Sequence, residues 1–224
     1  MEIPLILVNF KCYKKGTGRN ALKIAKACEM VSKKYGVEIA VAPQYTDIKT
    51  ISEKTKVKVF AQHIDAVEEG AYTGHITAMA IREAGAIGTI INHSEKKIDL
   101  SRIEKCLEIA RKYDLVSVVC SESLEKAKKI ARLSPDFIAF EDPLLIGSGR
   151  AISKVKAYSV KKFVDEIRRI NPRIKVLCGA GISSGSDVKA ALKLGTKGIL
   201  VASAVVNSEK PTNVLEDFAK AIQE

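Results

Sequence analysis

Short apolar runs, many of them β-branched, recur along the 224 residues with amphipathic stretches between them, and this alternation constrains the fold more than any other feature. The runs predict strands at Ile3 to Val8, Glu38 to Ala42, Lys58 to Ala61, Gly88 to Ile91, Val116 to Cys120, Phe137 to Phe140, Lys175 to Cys178 and Gly198 to Val201. Such runs are apolar nearly throughout, as strands are when both faces of a parallel sheet are covered. Between them the spacing becomes helical: Ala21, Ile24, Ala25, Cys28 and Val31 form one stripe, and Ile103, Cys106, Leu107 and Ala110 another. Val160, Phe163, Val164 and Ile167 form a third, and Leu215, Phe218, Ala219 and Ile222 a fourth. Ser101 and Asn213 each stand three residues before a glutamate, which predicts helix caps at both. No low-complexity linker divides the chain. Eight strand–helix units therefore predict an α/β fold, a closed (β/α)8 barrel forming a single domain over residues 1–224, with an open doubly wound sheet as the alternative. A barrel gathers its functional groups at the C-terminal ends of the strands.

Composition narrows the function classes. No apolar run approaches the ~18 residues of a membrane span. The N-terminal MEIPLILVNFK has an acidic flank and a short apolar run, and reads as a strand rather than a signal peptide. The five cysteines lack a Cys-x-x-Cys pair or a histidine at ligand spacing, so they read as small core residues in a reducing cytoplasm, with no metal site. The net charge of +11 raises the question of nucleic acid. However, acids are interspersed with the bases, as in KKFVDEIRR from Lys161, and no aromatic-rich basic tract accompanies them. Solvated helix faces and attraction of a small anionic substrate are the favoured reading, with no nucleic-acid or membrane partner.

The strand ends carry the candidate chemistry. Asn9, Phe10 and Lys11 follow the first strand, and extended alternation turns Asn9 and Lys11 to one side. His93 lies in INHSEKK after the fourth strand, and Glu141 directly follows the sixth. Taken singly, each has an ordinary structural explanation. A cation, an imidazole and a carboxylate at three strand ends of one barrel together supply an electrophile, an oxyanion partner and a base. CGAGISSGSD from Cys178 and GILVASAVV from Gly198 put small residues in the loops after strands seven and eight, where barrels bind phosphate through backbone N–H groups. The run from Glu141 to Arg150, EDPLLIGSGR, holds Leu144, Leu145 and Ile146 between Pro143 and Gly147, which no plain surface loop requires.

These segments, together with AQHID at Ala61 and GAYTGHIT at Gly70, resemble the triosephosphate isomerase family in its short archaeal form, essentially end to end. The resemblance implies a cofactor-free, metal-free isomerisation of D-glyceraldehyde 3-phosphate and dihydroxyacetone phosphate, in glycolysis and gluconeogenesis. It implies Lys11 as the oxyanion and phosphate contact, His93 as electrophile and Glu141 as base; a carboxylate base beside a neutral imidazole is this family's own standard case, carried over and not read from the residues. Substrate contacts carry over to Asn9, Phe10, Lys11, Ile146, Gly147, Gly181, Ala202 and Ser203, and Leu144 to Ile146 become an apolar lid. The resemblance further implies a homotetramer built as a dimer of dimers. Asn92, Ala202 and Ser203 stand where the family usually has glycine, and Asp142 and Leu144 where it has proline and tryptophan. A metal-dependent epimerase or a Schiff-base aldolase on the same barrel is the nearest rival, and the chain shows neither ligand spacing nor a lysine at the C-terminal end of strand six or strand seven. A non-catalytic basic protein binding polyanions is a rival of another class.

Overall fold

A computed structural model describes residues 1–141 and 157–223. Eight parallel strands close into a barrel in sequence order: β1 Leu5–Asn9, β2 Glu38–Ala42, β3 Lys58–Ala61, β4 Gly88–Ile91, β5 Val116–Ser121, β6 Phe137–Phe140, β7 Lys175–Cys178 and β8 Gly198–Val201. The ring is sealed where β1 pairs with β8, Leu5 opposite Gly198 and Val8 opposite Val201. The described helices are α1 Arg19–Tyr35, α2 Tyr45–Lys54, α3 Ala78–Glu83, α4 Leu100–Lys112, α5 Leu124–Arg132, α6 Ala157–Ile170, α7 Gly185–Lys193, α8 Ser203–Val206 and α9 Pro211–Gln223. Thus the barrel, not the open sheet, is the architecture.

Strand parity divides the core into two layers. Leu5, Leu7, Ala40, Phe60, Ile90, Val118, Phe137, Ala139, Leu177 and Leu200 pack inside the barrel. Their neighbours Ile6, Val8, Ile39, Val41, Val59, Ile91, Val119, Ile138, Val176 and Ile199 pack outward against the helices. The predicted stripes face that outer layer: Ala21, Ile24, Ala25, Cys28 and Val31 of α1 are buried, as are Val160, Phe163, Val164 and Ile167 of α6.

Four local expectations are corrected. The first strand begins at Leu5 rather than Ile3, because Pro4 has no N–H for the ladder and pairing starts at Leu5 opposite Glu38. α4 is capped by Asp99 rather than Ser101: the Asp99 carboxylate accepts from the Arg102 N–H at 2.8 Å and also from the Ser101 hydroxyl at 2.7 Å. α9 starts at Pro211 rather than at Asn213, proline suiting a first turn whose N–H groups have no helical acceptor. Cys12 is exposed, whereas Cys28, Cys106, Cys120 and Cys178 are buried as expected of core cysteines.

Among the described residues no helix is long and apolar enough to cross a membrane.

Candidate active site

The inward parity of the strands continues one residue beyond each strand's last inward apolar side chain, and there the residues change character. Asn9 follows Leu7, Gln62 follows Phe60, Asn92 follows Ile90, Glu141 follows Ala139, Gly179 follows Leu177 and Ala202 follows Leu200. A polar and small layer thus caps the apolar barrel interior at its C-terminal mouth. Backbone bonds carry the barrel into this layer: the Glu141 N–H donates to Ser121 O at 3.0 Å and the Gly179 N–H to Phe140 O at 2.9 Å. Glu141 is therefore held by the sheet itself.

Lys11 departs from the extended alternation expected of it. Its φ is 48°, a left-handed conformation that costs a non-glycine residue about 1–2 kcal/mol. Asn9 Oδ1 accepts from the Lys11 N–H at 2.9 Å, and Gln62 donates to the Lys11 carbonyl at 2.9 Å and to Ala42 O at 3.1 Å. These contacts hold the bend and aim the side chain across the mouth, where Lys11 Nζ meets Glu95 Oε1 at 2.8 Å.

Glu95 also fixes the imidazole. Its backbone N–H donates to His93 Nδ1 at 3.2 Å, so Nδ1 is an acceptor and the neutral ring carries its proton on Nε2. That Nε2 lies 3.2 Å from Glu141 Oε1. Asn92 makes the turn into His93 in the left-handed region, φ 58°, where asparagine is among the few tolerated substitutes for glycine. Its amide donates to Cys120 O at 2.8 Å and its Oδ1 accepts from the Ile98 N–H at 3.0 Å.

Glu141 is 3% exposed, and its Oε2 is buried without a hydrogen-bond partner among the described residues. Burial, and then the neighbouring Glu141 carboxylate, push the Cys120 thiol well above the ordinary cysteine range, so it stays protonated below the carboxylate. A Cβ on Gly179 would come 2.8 Å from Glu141 Cγ, closer than van der Waals contact permits. Only glycine leaves the carboxylate its place.

One cleft of about 210 Å³ is lined by Asn9, Lys11, His93, Glu141, Gly179, Gly181, Ile182, Ser183, Leu200, Val201, Ala202, Ser203 and Ala204. Gly181 turns the loop after β7 at φ 70°. Asp187 in the first turn of α7 accepts from the N–H groups of Ser183 and Ser184, each at 3.0 Å, and holds that loop against the cleft.

Of the residues singled out from sequence, Asn9, Lys11, His93, Glu141, Gly181, Ala202 and Ser203 thus line one cleft. Phe10 does not: its ring is fully buried in the layer between barrel and helices. Ile146 and Gly147, with Leu144 and the rest of the expected lid, lie outside the described residues. Sequence reading missed Gln62, Glu95, Cys120, Gly179 and Asp187 as parts of the site. Glu95 had a legible signal, being a carboxylate two residues after His93; Cys120 looked like any other apolar strand residue.

The sequence model of the triosephosphate isomerase family matches residues 4–223. The chain belongs to the triosephosphate isomerase family. A triosephosphate isomerase from Methanosarcina barkeri is 47% identical over 222 residues, covering 99% of this chain and 100% of the relative. One from Methanothermus fervidus is 48% identical over 218 residues, covering 97% and 98% of the two chains. A crystal structure of triosephosphate isomerase from Bartonella henselae superposes with a TM-score of 0.76 over the full length of both chains at 20% identity, a likeness of fold. Within this family frame, the strand-end constellation of Lys11, His93 and Glu141 occupies the mouth where barrel enzymes carry out their chemistry.

Proposed function

We propose that this member of the triosephosphate isomerase family interconverts D-glyceraldehyde 3-phosphate and dihydroxyacetone phosphate through an enediol(ate), with Glu141 as base and His93 as electrophile. The observation that carries the reading is the buried Glu141 carboxylate, with one oxygen unpartnered, in the same cleft as the Nε2 face of His93 and the ammonium of Lys11.

The chemistry follows from those groups. Glu141 takes a proton from the carbon beside the ketone; the C–H electron pair becomes the carbon–carbon double bond, and the carbonyl pair moves onto oxygen. That charge develops in the transition state and is absent from the substrate, so the His93 Nε2–H and Lys11 stabilise the transition state more than they stabilise the substrate. The hydroxyl proton on the deprotonated carbon then passes to the former carbonyl oxygen, Glu141 returns its proton to the former carbonyl carbon, and the aldehyde forms, with no net change in electrons or atoms. Burial of Glu141 also keeps water away from the carbon it deprotonates, which protects the intermediate from side reactions. The phosphate end is assigned to the small-residue loops at Gly181, Ala202 and Ser203, whose backbone N–H groups take an anion without a competing side chain, and to Ile146 and Gly147. The Lys11–Glu95 pair is shared with the substrate when it enters.

The same reading makes the chain one barrel domain over 1–224, working in glycolysis and gluconeogenesis in the cytoplasm as a homotetramer. The test is turnover of glyceraldehyde 3-phosphate by metal-stripped protein, followed by a coupled assay for dihydroxyacetone phosphate. Glu141→Gln is expected to lower kcat by about 10²–10⁴-fold with an unchanged circular dichroism spectrum. An inactive wild-type protein, or a folded Glu141→Gln variant of undiminished activity, would overturn the assignment.

A further inference from the structure

On the opposite face of the barrel, where strands begin, a second cleft of about 350 Å³ opens between α6, the start of β7 and the end of α7. Six cations line it: Lys161, Arg168, Arg173, Lys175, Lys193 and Lys197. Among the described residues Asp165 is the only acid lining it, and Lys161 already engages it. The whole chain has 37 basic and 26 acidic residues, so six to one is a local concentration and not a sample of the average. Among the described residues, Arg168, Arg173, Lys175, Lys193 and Lys197 have no carboxylate partner; Lys175 instead lies over the Phe137 ring at 5.1 Å. Buried Ile174 and Val176 lie beneath, supplying a low-dielectric wall that strengthens the field of the cations above it.

We propose that this cleft is a second anion site that binds a compact polyphosphate, a ligand carrying several negative charges within a few ångströms. A single phosphate would leave most of the five cations uncompensated. The catalytic chemistry makes no demand on this face, which is remote in the fold from the strand ends that hold Lys11, His93 and Glu141. Two other occupants fit less well. A second copy of the chain related by a two-fold axis would set this face against itself and oppose like charges. A single-stranded nucleic acid would call for aromatic stacking surfaces, and among the described residues no aromatic side chain lines the cleft. A ligand that binds the native state alone raises the protein's resistance to unfolding, and a polyphosphate here ties α6 and α7 to the barrel floor.

The experiment is calorimetric titration of the full-length protein with inorganic tripolyphosphate at low ionic strength, with urea unfolding in its presence as a second readout. The protein is compared with an Arg168→Gln, Arg173→Gln, Lys193→Gln variant, with Arg173→Gln alone, and with Lys11→Met. All three glutamine substitutions fall on exposed side chains. The expected result is that the triple variant binds about tenfold or more weakly, Arg173→Gln shows a smaller loss, and Lys11→Met binds as tightly as the wild type. Isomerase turnover in the triple variant is expected to be unchanged, and the rise in urea midpoint with tripolyphosphate to disappear. Equal binding by wild type and triple variant overturns the proposal, as does binding abolished by Lys11→Met, which would locate it at the catalytic mouth. Tighter binding of an oligoribonucleotide than of tripolyphosphate through the same three residues would replace the small polyanion by nucleic acid.

Discussion

Gly179 shows how a residue with no side chain can position the carboxylate proposed as the base. Its inward position falls beside Glu141, and the space its missing Cβ leaves is taken by the Glu141 side chain. Gly179→Ala is therefore expected to displace the carboxylate while leaving its identity intact. Steady-state kinetics should show kcat reduced by about tenfold to a hundredfold with little change in KM, since misplacement by about an ångström has effects of that size. Urea unfolding should show a loss of about 1–3 kcal/mol, as for other insertions into packed space. A kcat within about twofold of wild type would mean that Glu141 repacks freely and that Gly179 does not position it. Asn92 makes the complementary point. At a left-handed turn, where glycine is the easiest residue to accommodate, this chain has one whose side-chain amide also ties the turn to Cys120 O and the Ile98 N–H.

Among the elements, the connection from β3 to α3 is held by polar groups rather than by a long helix. Asp65 grips the Ile76 backbone twice, its N–H donating to Ile76 O at 2.9 Å and its side-chain Oδ2 accepting from the Ile76 N–H at 2.8 Å. His63 Nε2 lies 3.4 Å from Asp65 Oδ1, and His75 Nδ1 3.4 Å from Oδ2. Burial, and then the charge of Lys96, depress His63 below the ordinary imidazole value of 6.5, with Asp65 opposing them. Burial works against the Asp65 carboxylate, but the Ile76 N–H and the nearby cationic groups outweigh it and hold Asp65 below its ordinary 3.8. Both groups bind protons less readily in the folded state, so their stabilisation is complete above those ordinary values and declines as pH falls through the folded ones. The urea midpoint should thus fall as the pH is lowered from 6.5, and His63→Gln should flatten the first part of that decline. If the variant and the wild type lose stability in parallel, His63 is not the group responsible.

At the scale of the whole molecule, the proposed tetramer predicts a light-scattering mass four times the 24.4 kDa of the chain, and a mass equal to one chain would refute it. Tyr72, Met79 and Leu100 are large apolar residues left exposed on the single chain, at 48%, 40% and 37%, and are expected to lose accessibility on assembly, as hydrogen exchange or surface labelling would detect. Much of the fold was legible because its signals are local and repeated. A buried parallel strand must be apolar on both faces and a covering helix on one, so the run-and-stripe pattern located the strands and the buried faces of α1, α4 and α6 directly. Helix starts were less legible, since Ser101 lost its capping place to Asp99 through a competition that spacing alone does not rank. Residue types at the strand ends, with the family resemblance, marked Lys11, His93 and Glu141. Their mutual geometry was another matter. That Glu95 accepts the ammonium of Lys11 while its backbone fixes the His93 tautomer depends on groups 84 residues apart in the chain being brought within hydrogen-bond reach. The inward places of Gln62 and Gly179, and the six cations gathered on the far face, likewise exist only once the barrel closes. Sequence by itself determined which residues prefer to be buried and in what period, because that preference belongs to each side chain; tertiary structure alone decided which polar groups meet, because proximity belongs to the closed ring.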